Sequence, residues 1–147
     1  MRLSDGATTE LPVPIHRHPA TDQENFENRT AITGALRRHA DLIRRSMGLG
    51  FYQSWDLHPA QLIARYAAVY DFFNRDLDHS VLRLRTFLSG AAKAVRTGQA
   101  FDDAATGLGL LGYLRQCVSS GACSEGEIAD RLGVPSNALS SGTLESL

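Results

Sequence analysis

The residue pattern predicts a mainly α-helical chain with a single clear core strand, and three observations carry that expectation. Apolar residues recur at helical spacing through the stretches 30–49, 60–77, 79–97 and 104–119. Only the run FYQSWDLH, Phe51–His58, reads at strand period. The order of helix, tight glycine turn, strand and helix over 30–77 is that of an αβα piece of a parallel α/β fold.

In chain order, Met1–Val13 reads as two short extended pieces around the turn signal Ser4-Asp5-Gly6. Pro12–Gln23 holds three prolines and two histidines and reads as a loop. His16 and His18 stand two apart with no third ligand at suitable spacing, so they are expected to be ordinary loop histidines rather than a metal site. The helix over 30–49 carries Ile32, Leu36, Leu42, Ile43 and Met47 on its apolar stripe. Arg37, Arg38, Arg44 and Arg45 flank it as a solvated basic face, and Gly48 and Gly50 close it.

Strand period puts Phe51, Gln53, Trp55 and Leu57 on one face and Tyr52, Ser54, Asp56 and His58 on the other. One face is then largely apolar, and the other ends in a carboxylate and an imidazole. Pro59 keeps His58 extended and suits the first position of the next helix. Free N–H groups at Ala60 and Gln61 are placed to receive a carboxylate or phosphate there. The plainer alternative is a half-exposed edge strand with a solvated Asp-x-His pair.

The helix over 60–77 is expected to bury Leu62, Tyr66, Val69, Tyr70, Phe73 and Leu77. Beyond Asp76–Asp78 a further helix runs to about Thr97 with Val81, Leu84, Leu88, Ala91 and Val95 inward, and Gly98 ends it. Asp102 and Asp103 are natural N-cap and first-turn residues for Ala104–Ser119, whose inward side is Leu108, Leu111, Leu114 and Val118. Ser124 and Glu127 form a capping box for a helix that stops near Gly133-Val134-Pro135. This segment also resembles the first half of a helix-turn-helix, but Ser136–Leu147 offers no arginine or lysine for phosphate contacts.

At 147 residues, 43% hydrophobic and 21% charged, the composition is that of one globular domain. A formal net charge of −1 argues against electrostatic capture of nucleic acid or of an anionic membrane. No apolar run approaches the ~20 residues of a membrane span. Without a secretory signal pattern, Cys117 and Cys123 are expected to be reduced thiols in a cytoplasmic protein.

GFYQSWDLHPAQL, the preceding RRHADLIRRS and the following RYAAVYDFF resemble the last part of bacterial aldolase-like proteins. These are grouped with the citrate lyase β-subunit and HpcH/HpaI-type aldolases. His58-Pro59-x-Gln61 is similar to the HPxQ motif that follows the final barrel strand in citrate lyase-like enzymes, and RLSDG, LPV and FDDAATGLGLL extend the likeness over the chain. Ser54 and Ile63 depart from the glycine and proline expected at their positions.

The resemblance implies a (β/α)₈ TIM barrel that makes or breaks carbon–carbon bonds beside a carboxylate or thioester, with a divalent metal such as Mg stabilising an enolate. Such barrels take about 250 residues. The chain is therefore expected to be a truncated C-terminal portion, inactive alone. Residues 26–78 would be the terminal α-β-α unit after short extended pieces and a Pro-rich loop over 1–25. Residues 79–135 would be a helical C-terminal extension and 136–147 a frayed tail. By the same resemblance Asp56, His58 and Gln61 are substrate-binding candidates. Asp103 is a catalytic candidate, the aspartate a C-terminal lid lends to a neighbouring active site.

No cofactor is expected on this chain alone; the metal belongs to the full-length family. The implied partners are the missing N-terminal barrel portion, further copies in a homo-oligomer, and a small carboxylate or thioester substrate, with no nucleic acid and no membrane. A small helical interaction or assembly module is the alternative function, and a helix-turn-helix DNA-binding regulator the less favoured one.

Overall fold

The computed structural model describes residues 8–52, 55–97 and 104–141. They form five helices: α1 (Asp22–Gly48), α2 (Gln61–Thr97), α3 (Ala104–Ser119), α4 (Glu125–Leu132) and α5 (Ala138–Ser141). The chain divides into two compact units, Met1–Phe72 and Phe73–Leu147, and the division falls within α2.

The expected core strand is not formed, and no strand occurs among the described residues. The expectation of a TIM-barrel portion is corrected with it: the architecture is helical. The reason lies in where the backbone donors of Phe51, Leu57 and His58 go. Phe51 N–H donates to Ser46 O at 2.9 Å, closing α1, and Leu57 and His58 N–H both donate to the Gln61 side chain. An isolated extended segment has no ladder partner, so its amides go to helix ends and side chains instead.

Two helix boundaries also differ from expectation. α1 begins at Asp22, eight residues before the predicted start, because Thr21 accepts from Glu24 N–H while the Glu24 carboxylate accepts from Thr21 N–H. The signal is present as Thr-x-x-Glu, but the polar first turns DQENFEN hide it from a reading based on apolar period. α2 runs unbroken through Asp76–Asp78. No glycine or proline interrupts it there, and Phe73, Leu77, Val81 and Leu84 continue one buried stripe.

In the first unit α1 buries Ala35, His39, Ala40, Ile43 and Met47, and α2 buries Gln61, Ala64 and Ala68. This is not the predicted face of α2: Leu62, Tyr66 and Tyr70 are 40%, 52% and 38% exposed. Small alanines face inward and the large side chains point to solvent. An extended segment preceding α1 is laced to both helices. Asn28 accepts from His16 N–H and donates to His16 O, Arg38 pairs with Glu10, and Gln61 donates to the Thr8 and Glu10 carbonyls.

In the second unit Phe73, Leu77, Val81 and Leu84 of α2 are buried, as are Leu111, Leu114 and Cys117 of α3. Tyr113 donates its hydroxyl to Phe73 O at 2.9 Å with the two rings 5.3 Å apart. Leu108, expected inward, is 57% exposed, because the buried line of α3 runs through Leu111, Leu114 and Cys117. α4 is capped by Ser124, which accepts from Glu127 N–H as its half of the expected capping box, and by Gly133 with φ +75°, where the stop was predicted. α5 packs on α3 and α4. Its Leu139 is buried, Leu139 O accepts from Arg115, and Ser140 N–H donates to Glu125.

Candidate functional site

The densest polar constellation of the first unit is built around Asp56, on the segment joining α1 to α2. One carboxylate oxygen lies 2.8 Å from His39 Nε2 and the other accepts from Arg65 Nε. His39 sits on α1 and is 2% exposed; the side chain of Asp56 is 17% exposed. Arg65, on the first turns of α2, also donates to Trp55 O at 3.3 Å. Asp56 thus fastens two helices and its own segment together.

Burial pushes the Asp56 carboxyl upward, but the hydrogen bonds from Arg65 and His39, with the guanidinium charge, outweigh it, and the group is held below the usual aspartate range. An ionised carboxylate only accepts, so His39 Nε2 carries the donated proton. His39 Nδ1 is buried with no hydrogen-bond partner.

The sequence did not single out His39, although it could have been found. It falls between Leu36 and Ile43 at helical spacing, a lone polar residue on an apolar stripe. Its pairing with Asp56, seventeen residues on, is tertiary and has no local signature.

The other candidates separate. His58 Nδ1 accepts from Ala60 N–H at 3.2 Å and its carbonyl accepts from Gln61 N–H, so the two amides expected to receive an external anion are spent inside the turn. Gln61 is wholly buried. Its oxygen accepts from Leu57 and His58 N–H at 2.7 and 3.2 Å, and its amide nitrogen donates to Thr8 and Glu10 carbonyls, each at 3.3 Å. That uses the full hydrogen-bonding capacity of a glutamine side chain. The structure therefore brings Asp56 to His39 and Arg65, and leaves His58 and Gln61 in a separate turn. Asp103 lies outside the described residues, as do Gln53 and Ser54.

For a divalent metal the fit is poor: among the described residues no three His, Cys, Asp or Glu side chains converge as a cation would require. His16 bonds Glu27 at 2.6 Å instead. No helix among the described residues is long and apolar enough to cross a membrane.

The same unit exposes several large apolar side chains. Trp55, Leu57 and Ile63 are 62%, 54% and 70% exposed, as are, to a lesser degree, Leu62, Tyr66 and Tyr70 along α2. The two tyrosine rings stand edge to face at 5.9 Å. Ile63 also lines a groove between α1 and α2 with Leu36, Ala40, Ala64 and Ala67.

These features define a small helical domain with a buried ionic fastening and a large apolar face. The chain belongs to the family described as Domain of unknown function (DUF6986), whose model matches residues 1–146. No curated protein and no solved structure matches it.

Proposed function

We propose that the chain is a helical assembly module that docks onto a catalytic body of the aldolase/citrate lyase type and turns over no substrate by itself. The observation that carries this reading is the inverted face of α2, where alanines are buried while Leu62, Ile63, Tyr66 and Tyr70 face solvent. Contiguous large apolar groups of this kind mark an interaction surface, and tyrosine is favoured where a contact is apolar at one end and wet at the other. The nature of the partner is drawn from the resemblance of the segment that leads into this face, WDLHPAQL, to citrate lyase-like enzymes.

In this reading Asp56, His58 and Gln61 set the shape of the docking end, since the Asp56 carboxylate, His58 Nδ1 and the Gln61 amide already serve internal bonds. The divalent metal and the carboxylate or thioester substrate belong to the partner body. Co-expression of tagged chain with such a body should retain it on the affinity resin. Tyr66→Glu and Ile63→Glu should lose it while leaving the circular dichroism melt unchanged, because both positions are exposed. The proposal fails if the purified chain alone cleaves a 2-oxo acid or acyl thioester, or if both variants hold the body as well as the wild type does.

A further inference from the structure

We propose that Cys117 and Cys123 form a redox-active dithiol that closes to an intramolecular disulfide and clips the corner between α3 and α4. The placement follows from how α3 ends. Ala122 N–H donates to Cys117 O at 3.1 Å and Gly121 N–H to Val118 O at 3.0 Å, with Gly121 at φ +77°. These two bonds fold the chain back over the last turn of the helix in a Schellman arrangement. Ser120 Oγ donates to the same Cys117 carbonyl at 2.8 Å and pins the turn further. The residue that emerges is Cys123, and its thiol lies close enough to that of Cys117 for each to perturb the other's ionisation. Both cysteines are free thiols.

The two sulfurs are not equivalent. Cys117 is wholly buried, and Cys123 is half-buried. Burial, then the neighbouring Cys123 thiol, pushes the Cys117 thiol far up. Burial also raises Cys123, but the neighbouring Cys117 thiol and the charge of Arg131 oppose the rise while Glu127 adds to it. Cys123 is therefore the thiol that ionises and is reached first, and Cys117 is the one that resolves.

The oxidant is a small disulfide such as oxidised glutathione. The Cys123 thiolate attacks one of its sulfurs, the glutathione S–S bond breaks, a mixed disulfide forms on Cys123, and one glutathione thiolate leaves. Cys117 then loses its proton, attacks the Cys123 sulfur and expels the second glutathione. The protons of the two cysteines end on two glutathione thiols, and the two electrons lost by the cysteine pair reduce the original disulfide. Because both thiols are protonated at neutral pH, the reaction quickens about tenfold per pH unit on the alkaline side until Cys123 is ionised.

The test is incubation of the folded chain with oxidised glutathione over a pH series, followed by intact mass and peptide mapping. Wild type should lose both thiols and the mass of two hydrogens, with 117 and 123 cross-linked. Cys117→Ala, or Cys117→Ser should alanine loosen the fold, should stop at the glutathione adduct on Cys123. Cys123→Ser should stay unmodified until denatured, since Cys117 is out of reach. The proposal is overturned if wild type accumulates the adduct without closing the internal bond. It is equally overturned if folded wild type stays unmodified at every pH while the denatured chain reacts.

Discussion

Replacing Asp56 by alanine removes the acceptor for two charge-assisted hydrogen bonds at once, leaving the Arg65 guanidinium and the buried His39 N–H without it. Hydrogen bonds to charged groups contribute about 1.5–3 kcal/mol each. The carboxylate is 17% exposed, so water recovers part of the loss at Arg65, whereas His39 is too buried for that. The expected cost is about 2–4 kcal/mol, below the full penalty of a dry broken ion pair. With a urea dependence near 1.5 kcal/mol/M, the unfolding midpoint should fall by about 2 M. Trp55 is the single tryptophan and its carbonyl is held by Arg65, so its fluorescence reports on this unit directly.

Asp56→Asn should fall between wild type and alanine. Its oxygen can still serve Arg65, and its amide can donate to His39 once the imidazole proton moves to Nδ1. Because the folded carboxyl is held below its unfolded value of 3.8, its stabilisation is present above that value and is lost as pH falls through the lower folded one. The asparagine variant should lack this acid-dependent component. An alanine variant within about 0.5 kcal/mol of wild type, the range of an ordinary surface change, would show that the cluster holds nothing together.

Gln61→Ala strands the Leu57 and His58 amides and should cost about 2–4 kcal/mol at typical penalties for unpaired buried groups; hydrogen exchange at Leu57 should accelerate with it, and unchanged protection there would refute the assignment. Gly133→Ala meets no neighbour within 4 Å but forces φ +75° on an L-residue, so its thermal midpoint should drop by an amount corresponding to about 1–2 kcal/mol. The Gln23 bond, then that of His16, holds Glu27 below the usual glutamate range. The His16–Glu27 contact should therefore persist above that range and disappear as pH falls through the lowered value, read from the His16 ring resonances in an NMR titration.

Local signals and tertiary ones were not equally legible in the residues. Ala104–Ser119, the Ser124 cap, the Gly133 stop and the Gly48–Gly50 closure were all readable, because each depends on residues within one or two turns. The strand was misread because FYQSWDLH has strand composition, while formation of a strand depends on a neighbour that these residues cannot specify. On the first turns of α2 the period was right and the face was wrong, whereas Phe73, Leu77, Val81 and Leu84 are buried as expected. Leu62, Tyr66 and Tyr70 are the greasier side, yet the α1–α2 packing buries Ala64 and Ala68, whose small side chains allow close approach. Asp56 was singled out for its chemistry, and its partners stayed hidden because His39 and Arg65 meet it only through the fold.

Beside the charged Arg38–Glu10 and His16–Glu27 contacts, the leading segment is stitched by neutral amides: Asn28 holds His16 at one end and Gln61 holds Thr8 and Glu10 at the other. Carboxamides neither titrate nor answer to ionic strength. Acid should consequently dissolve the charged knot at Asp56 while these stitches stay closed, so that the first half of the molecule loosens from within before its outer strap lets go.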